Sequence, residues 1–373
     1  MSERQSNLGE LAPLSWLPTK WEQVMAELGQ PRYRGRQGFE WIWQHQVRAY
    51  DEIVVWPKSL RSTMQARYPF KRADIVTVQR ADDGTSKILF EMQDHQKVET
   101  VILPHAYGTS ICVSSQVGCN IGCTFCASGL LKRTRNLTAG EILDQVVMAS
   151  QVLPDSMPAI RRVDLMGIGE PLDNYREVLH FAHLIHEPTG VNLSYRHITL
   201  STSGLVPQIY QLADEHLPIT LAVSLHAPNN VLRTRLMPIN RAYPLEKLIP
   251  AARYYAEVSG RRVTFEYAML KDINDDPDTA RQLVDLLSGL SCHVNLIPWN
   301  PVPEEPFQPS PMVRVRTFRD IVQQNAISCT IRKELGQEID AACGQLRRRE
   351  EASHHPESIR KVPSRIGERG EPG

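Results

Sequence analysis

Three cysteines within eight residues, Cys119, Cys123 and Cys126, form the densest group of reactive side chains in this chain. Gly118 and Gly122 precede the first two thiols, and glycine permits the tight backbone turns that would bring three sulfurs to one side. Three thiolates can ligate an iron–sulfur cube while one iron keeps an open coordination position. Because four protein ligands are typical of an electron carrier or a structural site, three predict chemistry at the open iron.

A zinc site completed by a distant histidine is the alternative interpretation of this loop. Zinc knuckles and ribbons use two cysteine pairs separated by a spacer. Cys292 and Cys329 lie far apart in the sequence and form no second pair. The spacing therefore favours an iron–sulfur cluster, and we expect Cys292 and Cys329 to be structural.

The composition indicates a soluble, globular protein of a reducing compartment. The chain has 373 residues, of which 42% are hydrophobic, and seven cysteines that do not resemble a disulfide framework. No segment approaches the roughly 20 apolar residues of a membrane span, and the N-terminus lacks the apolar region of a secretion signal. We expect a cytoplasmic protein. Its 42 basic and 42 acidic residues balance, so the net charge neither supports nor excludes a nucleic acid as partner.

The segments that would position the cysteine loop change character along the chain. Residues 12–68 show helical spacing of apolar positions, and residues 73–104 contain short β-rich runs around an Asp-Gly turn, as in an antiparallel meander. From residue 110 onward, strand candidates alternate with helical stretches. The six strand candidates are Ile111–Ser115, Val163–Met166, His197–Ser201, Thr220–Ser224, Val263–Ala268 and Val294–Ile297.

This alternation predicts an α/β fold with a closed or partly closed (βα)6 barrel. Thr138 and Glu141 form a capping box that should open a helix over residues 139–152. Polar clusters follow several strand candidates, and the carboxyl ends of barrel strands share one face, where active sites are built. We therefore divide the chain into a helical domain (1–68), a β-meander connector (69–108), the barrel core (109–346) and a disordered tail (347–373).

Five motifs in this order resemble the RlmN group of the radical S-adenosylmethionine (SAM) superfamily, over roughly residues 12–347. They are Gln116–Ala127 with the three cysteines, Met166–Leu172, Leu200–Gly204, Ser224–Pro228 and Asp340–Leu346. The resemblance implies a partial radical SAM barrel whose three cysteines ligate a [4Fe–4S] cluster. It also implies that SAM is bound by residues after the strands: Gly169, Glu170, Ser201, Ser224, Leu225, His226 and Asn300.

The same resemblance assigns three catalytic residues. It implies that Cys343 carries a methyl group, that Cys112 resolves the covalent adduct and forms a disulfide with Cys343, and that Glu99 accepts a proton. From the residues alone, Cys112 and Cys343 would be small buried hydrophobic side chains. Glu99 alternates with valines on a hairpin, so on its own it would face solvent.

The reaction implied by the resemblance is methylation of adenosine at C2, through a methyl-cysteine and a 5′-deoxyadenosyl radical, with two SAM molecules per turnover. The implied substrates are a peptidyl-transferase-centre adenosine of 23S rRNA and adenosine 37 of tRNA. A flavodoxin or ferredoxin would supply electrons to a monomeric enzyme. The helical domain, with Arg32, Arg34, Arg36, Trp41 and Trp43, would face the RNA.

Three other functions stay open from the sequence. Methylation at C8, as in the related Cfr enzymes, uses the same cluster and both catalytic cysteines. A radical SAM activase would abstract hydrogen from a protein, and a non-catalytic RNA-binding protein would use its metal only structurally. Cys343 favours methyl transfer over the activase, and the N-terminal domain and the overall match favour C2 over C8, although no single residue decides between them.

Overall fold

The computed structural model describes residues 12–106, 108–130, 132–301, 306–333 and 335–339, which form ten α-helices and twelve β-strands. The helices are α1 Pro18–Glu27, α2 Tyr33–Trp43, α3 Lys58–Arg67, α4 Ala139–Ser150, α5 Tyr175–His186, α6 Val206–Asp214, α7 Asn230–Leu236, α8 Leu245–Ser259, α9 Pro277–Leu287 and α10 Met312–Gln324. The strands are β1 Asp74–Arg80, β2 Ser86–Glu91, β3 Lys97–His105, β4 Gly108–Cys112, β5 Gln116–Val117, β6 Arg135–Asn136, β7 Ile160–Leu165, β8 Ile198–Thr202, β9 Thr220–Ser224, β10 Val263–Met269, β11 Cys292–Pro298 and β12 Ser328–Ile331.

Ten of these strands form a single sheet in the order β1-β2-β3-β4-β7-β8-β9-β10-β11-β12. Strands β1 to β4 pair antiparallel, whereas β4 and β7 to β12 pair parallel. The meander is therefore hydrogen-bonded directly to the first barrel strand. This architecture confirms the predicted α/β partial barrel.

The six predicted barrel strands are present, and Thr220–Ser224 matches its predicted bounds. A seventh parallel strand, Ser328–Ile331, was missed by the sequence reading. Its periodicity is weak because only Cys329 is fully buried and two of its four residues are exposed.

The two faces of the barrel strands differ in chemistry. Val163 and Leu165 are buried in the apolar core together with residues of the surrounding helices. Asp164 lies between them in sequence and so points to the inner face of the barrel. On that inner face Asn295 donates to Glu266 over 2.9 Å. The barrel interior is thus polar, as expected of a surface that receives a polar ligand.

The N-terminal helices pack on the outside of the barrel against α4. This helix starts at the predicted capping box, where Thr138 Oγ1 accepts from Glu141 N over 3.2 Å. At its first turn, a Cβ on Gly140 would lie 2.5 Å from the Leu14 carbonyl carbon, so only glycine allows this approach.

Further along α4, a buried ion pair joins this helix to the N-terminal part of the chain. Arg72 donates to Asp144 and, through Nε, to the Val47 carbonyl oxygen over 2.8 Å. Ala73 N also donates to Asp144 over 2.6 Å. Both charged side chains are fully buried, so each depends on the other for compensation.

Within the described ranges, no helix combines the length and the apolar character that crossing a membrane requires. The predicted tail, residues 347–373, lies outside the described residues.

Candidate functional site: the cysteine loop and the strand ends

The cysteine loop leaves the barrel directly after β4 and is closed at its base by a two-stranded ribbon. Gln116 and Val117 of β5 pair antiparallel with residues of β6. Gly118 and Gly122 adopt φ values of +79° and +72°, the left-handed region that favours glycine. These two turns are the ones expected from the sequence, and they bend the backbone directly before Cys119 and Cys123.

The three thiols lie close enough to influence one another electrostatically. Burial, together with the charges of Glu170 and Cys126, raises the pKa of Cys119 to about 12. Burial also raises the pKa of Cys123 well above its ordinary value, with the other two thiols adding to the shift. The three thiols are thus partly buried, and as thiolates they would need a positively charged partner.

This donor set fits an iron–sulfur cluster, in which each cysteine ligates a different iron. Within the described part of the chain, no three His, Cys, Asp or Glu side chains converge on a single metal ion. Cys119, Cys123 and Cys126 would hold the cluster, each through one Fe–S bond.

A cluster of buried apolar side chains supports the cysteine loop from the barrel side. Phe125 and Trp299 belong to one buried cluster against which Cys123 and Cys126 pack. Trp299 Nε1 donates to the Phe125 carbonyl oxygen over 3.0 Å, and the Phe125 ring meets the His226 ring edge-on at 4.6 Å. The loop is therefore attached to residues that follow two different strands, β9 and β11.

Glu170, after β7, connects the strand-end loops. Its Oε1 accepts from Leu172 N over 3.0 Å, and its Oε2 accepts from Ser203 N over 2.7 Å. Its own backbone N–H donates to Gln116 Oε1 over 2.9 Å. Burial raises the pKa of this carboxyl, although its hydrogen bonds oppose the shift. Glu170 therefore holds together the loops after β4, β7 and β8.

Gly169 occupies a position where no other residue fits without rearrangement. Its φ is +113°, and a Cβ would lie 2.7 Å from Gln116 Cβ and 2.8 Å from Ser115 Oγ. The bare backbone of Gly169 thus faces the base of the cysteine loop.

The other predicted SAM contacts also follow the strands. Ser201 and Ser224 are half-buried on the inner face at the ends of β8 and β9. Leu225 is fully buried in the apolar core, so its side chain does not line the mouth of the barrel. Asn300 follows β11 and is buried.

His226 has a strained backbone and a neutral ring. Its φ is +57°, and its Nδ1 accepts from Ala268 N over 2.9 Å. Burial lowers its pKa to about 3, with a further contribution from Arg233. The imidazole is therefore a neutral, fixed part of the wall rather than a proton donor at neutral pH.

Cys112 and Glu99 share the inner face at the same end of the sheet. Cys112 is the last residue of β4, nearer the mouth than the sequence indicated, and pairs across the ladder with Val101. Glu99 is two residues from Val101 and therefore on the same face. The expectation that Glu99 alone would face solvent is wrong, because it is only 5% exposed.

Sequence reasoning missed two basic residues near these groups. Lys87 Nζ lies 3.5 Å from Glu99 Oε1, and both side chains are largely buried. Arg233 is fully buried beneath the loops after β8 and β9. Neither carries a sequence signal, because a lone basic residue in a strand or an amphipathic helix is usually solvated.

The described chain ends near Cys112. Leu335 and Ile339 pack on the cluster that contains Cys112. Cys343, the expected methyl carrier, lies outside the described residues.

Other sequence candidates are separate from this site. Trp43 is buried in the core with the Arg72 guanidinium 5.3 Å from its ring centroid, so it is not available to RNA. Arg36 is exposed and pairs with Glu22. The buried thiols of Cys292 and Cys329 lie in the core, as expected of structural residues.

Comparison with known proteins gives a consistent picture. The model of the radical SAM superfamily matches residues 113–284. A probable dual-specificity RNA methyltransferase RlmN from Symbiobacterium thermophilum is 49% identical over 334 residues, covering 89% of this chain and 90% of the relative. A relative of the same name from Geobacillus kaustophilus is 46% identical over 351 residues, covering 92% and 96%. The crystal structure of a radical SAM methyltransferase from Sphaerobacter thermophilus matches with a TM-score of 0.87 at 44% identity, covering 90% of this chain and 99% of that chain.

Proposed function

The chain belongs to the RlmN family of radical SAM RNA methyltransferases, and from this premise we propose that it methylates C2 of adenosine in 23S rRNA and in tRNA. The observation that carries the proposal is the meeting of the cysteine loop, Glu99 and Cys112 at one end of the barrel. C2 is an sp² carbon without nucleophilic character, so a polar methyl transfer to it is not accessible. A cofactor that generates radicals and a second thiol are what such a reaction needs.

Each part of the site has a proposed role. Cys119, Cys123 and Cys126 would ligate the cluster, which with SAM supplies the one-electron chemistry. The bare backbone at Gly169, the serines Ser201 and Ser224, and Asn300 would contact SAM. Glu170 would act by holding the loops in register, because both of its oxygens already accept backbone hydrogen bonds. Leu225 would contact SAM through its backbone, and the uncharged His226 ring would form part of the wall of the SAM site.

The two catalytic thiols can meet because of where the described chain ends. Three residues separate Ile339 from Cys343, and the four Cα–Cα steps between them span at most roughly 14 Å. Ile339 already packs on the cluster containing Cys112. We propose that Cys343 carries the methyl group and that Cys112 attacks the Cys343 sulfur to release the methylated RNA. The resulting disulfide must be reduced before the next turnover.

Glu99 suits the role of proton acceptor from C2. It is buried on the Cys112 face, and Lys87 lies close enough to compensate its negative charge. A buried carboxylate beside a lysine is poorly hydrated, which makes it an available base.

The decisive experiment is anaerobic reconstitution followed by assay with rRNA and tRNA. We expect about four irons per chain, 5′-deoxyadenosine on reduction by flavodoxin or ferredoxin, two SAM consumed per methylated adenosine, and a monomer in solution. Mass spectrometry of the modified nucleoside should identify the C2 isomer. The C8 isomer would contradict the proposed regiochemistry.

A pair of cysteine variants tests the thiol chemistry. Cys343→Ala should abolish RNA methylation while SAM cleavage continues. Cys292→Ala, which removes a buried thiol on the far side of the core, should leave both activities in place. Methylation by Cys343→Ala would refute the methyl-cysteine mechanism. SAM cleavage without RNA methylation by the unaltered enzyme would favour an activase, and absence of both reactions would favour a structural metal protein.

A further inference from the structure

Arg233 is a fully buried cation beneath the mouth of the barrel. Its guanidinium donates to the carbonyl oxygens of Ser203 over 2.7 Å, Ser224 over 3.2 Å and Leu225 over 3.3 Å. It also donates to Asn240 Oδ1 over 2.9 Å. These contacts join the loops after β8 and β9 to α7.

The charge of Arg233 is not balanced by an acid. All of its hydrogen bonds end on neutral oxygens, and among the residues that the structure describes no carboxylate forms an ion pair with it. Arg72 offers the contrast, since it is equally buried but faces Asp144. A buried charge normally requires a partner of opposite sign, so the unbalanced guanidinium indicates that negative charge is supplied from elsewhere.

The helix that carries Arg233 contacts the cysteine loop, because Thr124 N donates to the carbonyl oxygen of Leu236 over 3.0 Å and Cys123 packs on the buried cluster that contains Leu236. Burial lowers the pKa of Arg233 to about 10, and the Cys123 sulfur opposes this shift. The guanidinium therefore stays charged at neutral pH and interacts across low-dielectric protein with a thiolate that would ligate the cluster.

We propose that Arg233 is the fixed counter-charge of the iron–sulfur cluster and sets its reduction potential, while it positions the two loops that would hold SAM. Reduction by an external flavodoxin-type or ferredoxin-type donor would add one negative charge to the cluster. A nearby buried cation stabilises the reduced form more than the oxidised form, so it makes the potential less negative. This inference rests on the proposed function, because it requires that the loop binds the cluster.

Two variants of Arg233 separate charge from hydrogen bonding. Arg233→Lys keeps the positive charge but loses the planar fork, whereas Arg233→Gln loses the charge and keeps a shorter donor. Arg72→Lys and Arg72→Gln are the matched controls, because they alter a second fully buried arginine that pairs with Asp144 on α4. All four proteins are reconstituted anaerobically, and their iron content and cluster midpoint potential are measured by a redox titration followed by electron paramagnetic resonance.

We expect the midpoint of Arg233→Gln to move to a more negative value, with Arg233→Lys close to the unaltered enzyme. Neither Arg72 variant should move the midpoint, even where it lowers the melting temperature. An unchanged midpoint in Arg233→Gln, or equal shifts in Arg233→Lys and Arg233→Gln, would overturn the proposal.

Iron retention decides the case in which Arg233→Gln cannot keep a cluster. If Arg233→Lys then retains iron, the result supports the counter-charge. If both variants lose iron, the counter-charge is refuted and the guanidinium acts only through its hydrogen bonds. If the unaltered protein itself binds no iron, the proposed function fails instead, so the two failures are distinguishable.

Discussion

Replacing Gly169 by alanine should damage the site more than an equally strained glycine replacement elsewhere. The new Cβ would meet Gln116 Cβ at 2.7 Å and Ser115 Oγ at 2.8 Å, at a φ of +113°. Gln116 Cβ is next to the backbone, so it cannot rotate away. Its side chain accepts the Glu170 backbone hydrogen bond, and displacement would therefore reach the loop held by Glu170.

The cost can be worked from these contacts. Backbone strain at this φ costs about 1–3 kcal/mol, and overpacking against Gln116 and Ser115 costs about 1–3 kcal/mol more. The matched control is Gly260→Ala, because Gly260 has a φ of +62° with nothing within 4 Å of its Cβ position. That substitution should cost only about 1–2 kcal/mol from the left-handed conformation.

Chemical denaturation and calorimetric SAM binding to the reconstituted enzymes would measure both effects. Gly169→Ala should be the less stable variant and should bind SAM at least about tenfold more weakly, which corresponds to about 1.4 kcal/mol. Gly260→Ala should bind SAM normally. Equal SAM affinity in the two variants would refute the reasoning that Gly169 holds the loop geometry.

Three further changes have separate readouts. Lys87→Met should leave the Glu99 carboxylate without its lysine, slowing RNA methylation while SAM cleavage persists; an unchanged methylation rate would exclude Lys87 from the site. Thr138→Ala should remove the cap of α4 and lower the free energy of unfolding by about 1 kcal/mol, with no change in cluster content. The pKa of His226 is about 3 in the fold, below its unfolded value, so its contribution to stability is present above the unfolded pKa and is lost as pH falls. Stability should drop by about 2 kcal/mol from this group between pH 6.5 and pH 5, and the pH dependence should be shallower in His226→Gln; an unchanged slope would refute the neutral buried ring.

Local sequence signals predicted the elements that are determined locally. The capping box at Thr138 and Glu141 located the start of α4, because the two side chains satisfy backbone amides within a single turn. The strand Thr220–Ser224 was identified because its apolar run is bounded by turn residues on both sides. The strand containing Cys329 was missed, since three of its four positions face outward or are only partly buried.

The sequence by itself determined the chemistry available to this protein. Three cysteines separated by three and two residues predict an iron–sulfur cluster with an open iron, and the family motifs predict a methyl-carrying thiol. These assignments survive without coordinates because ligand type and spacing are properties of one short segment.

Only the tertiary structure decided which charges surround that chemistry. Strand pairing turns Glu99 inward beside Lys87, and the packing of α7 beneath two loops buries Arg233 without an acid. It also directs both oxygens of Glu170 to backbone amides. Burial and long-range pairing depend on segments that are far apart in the chain. In the sequence a lysine, an arginine or a glutamate looks like a solvated residue, and its role becomes visible only in the folded sheet.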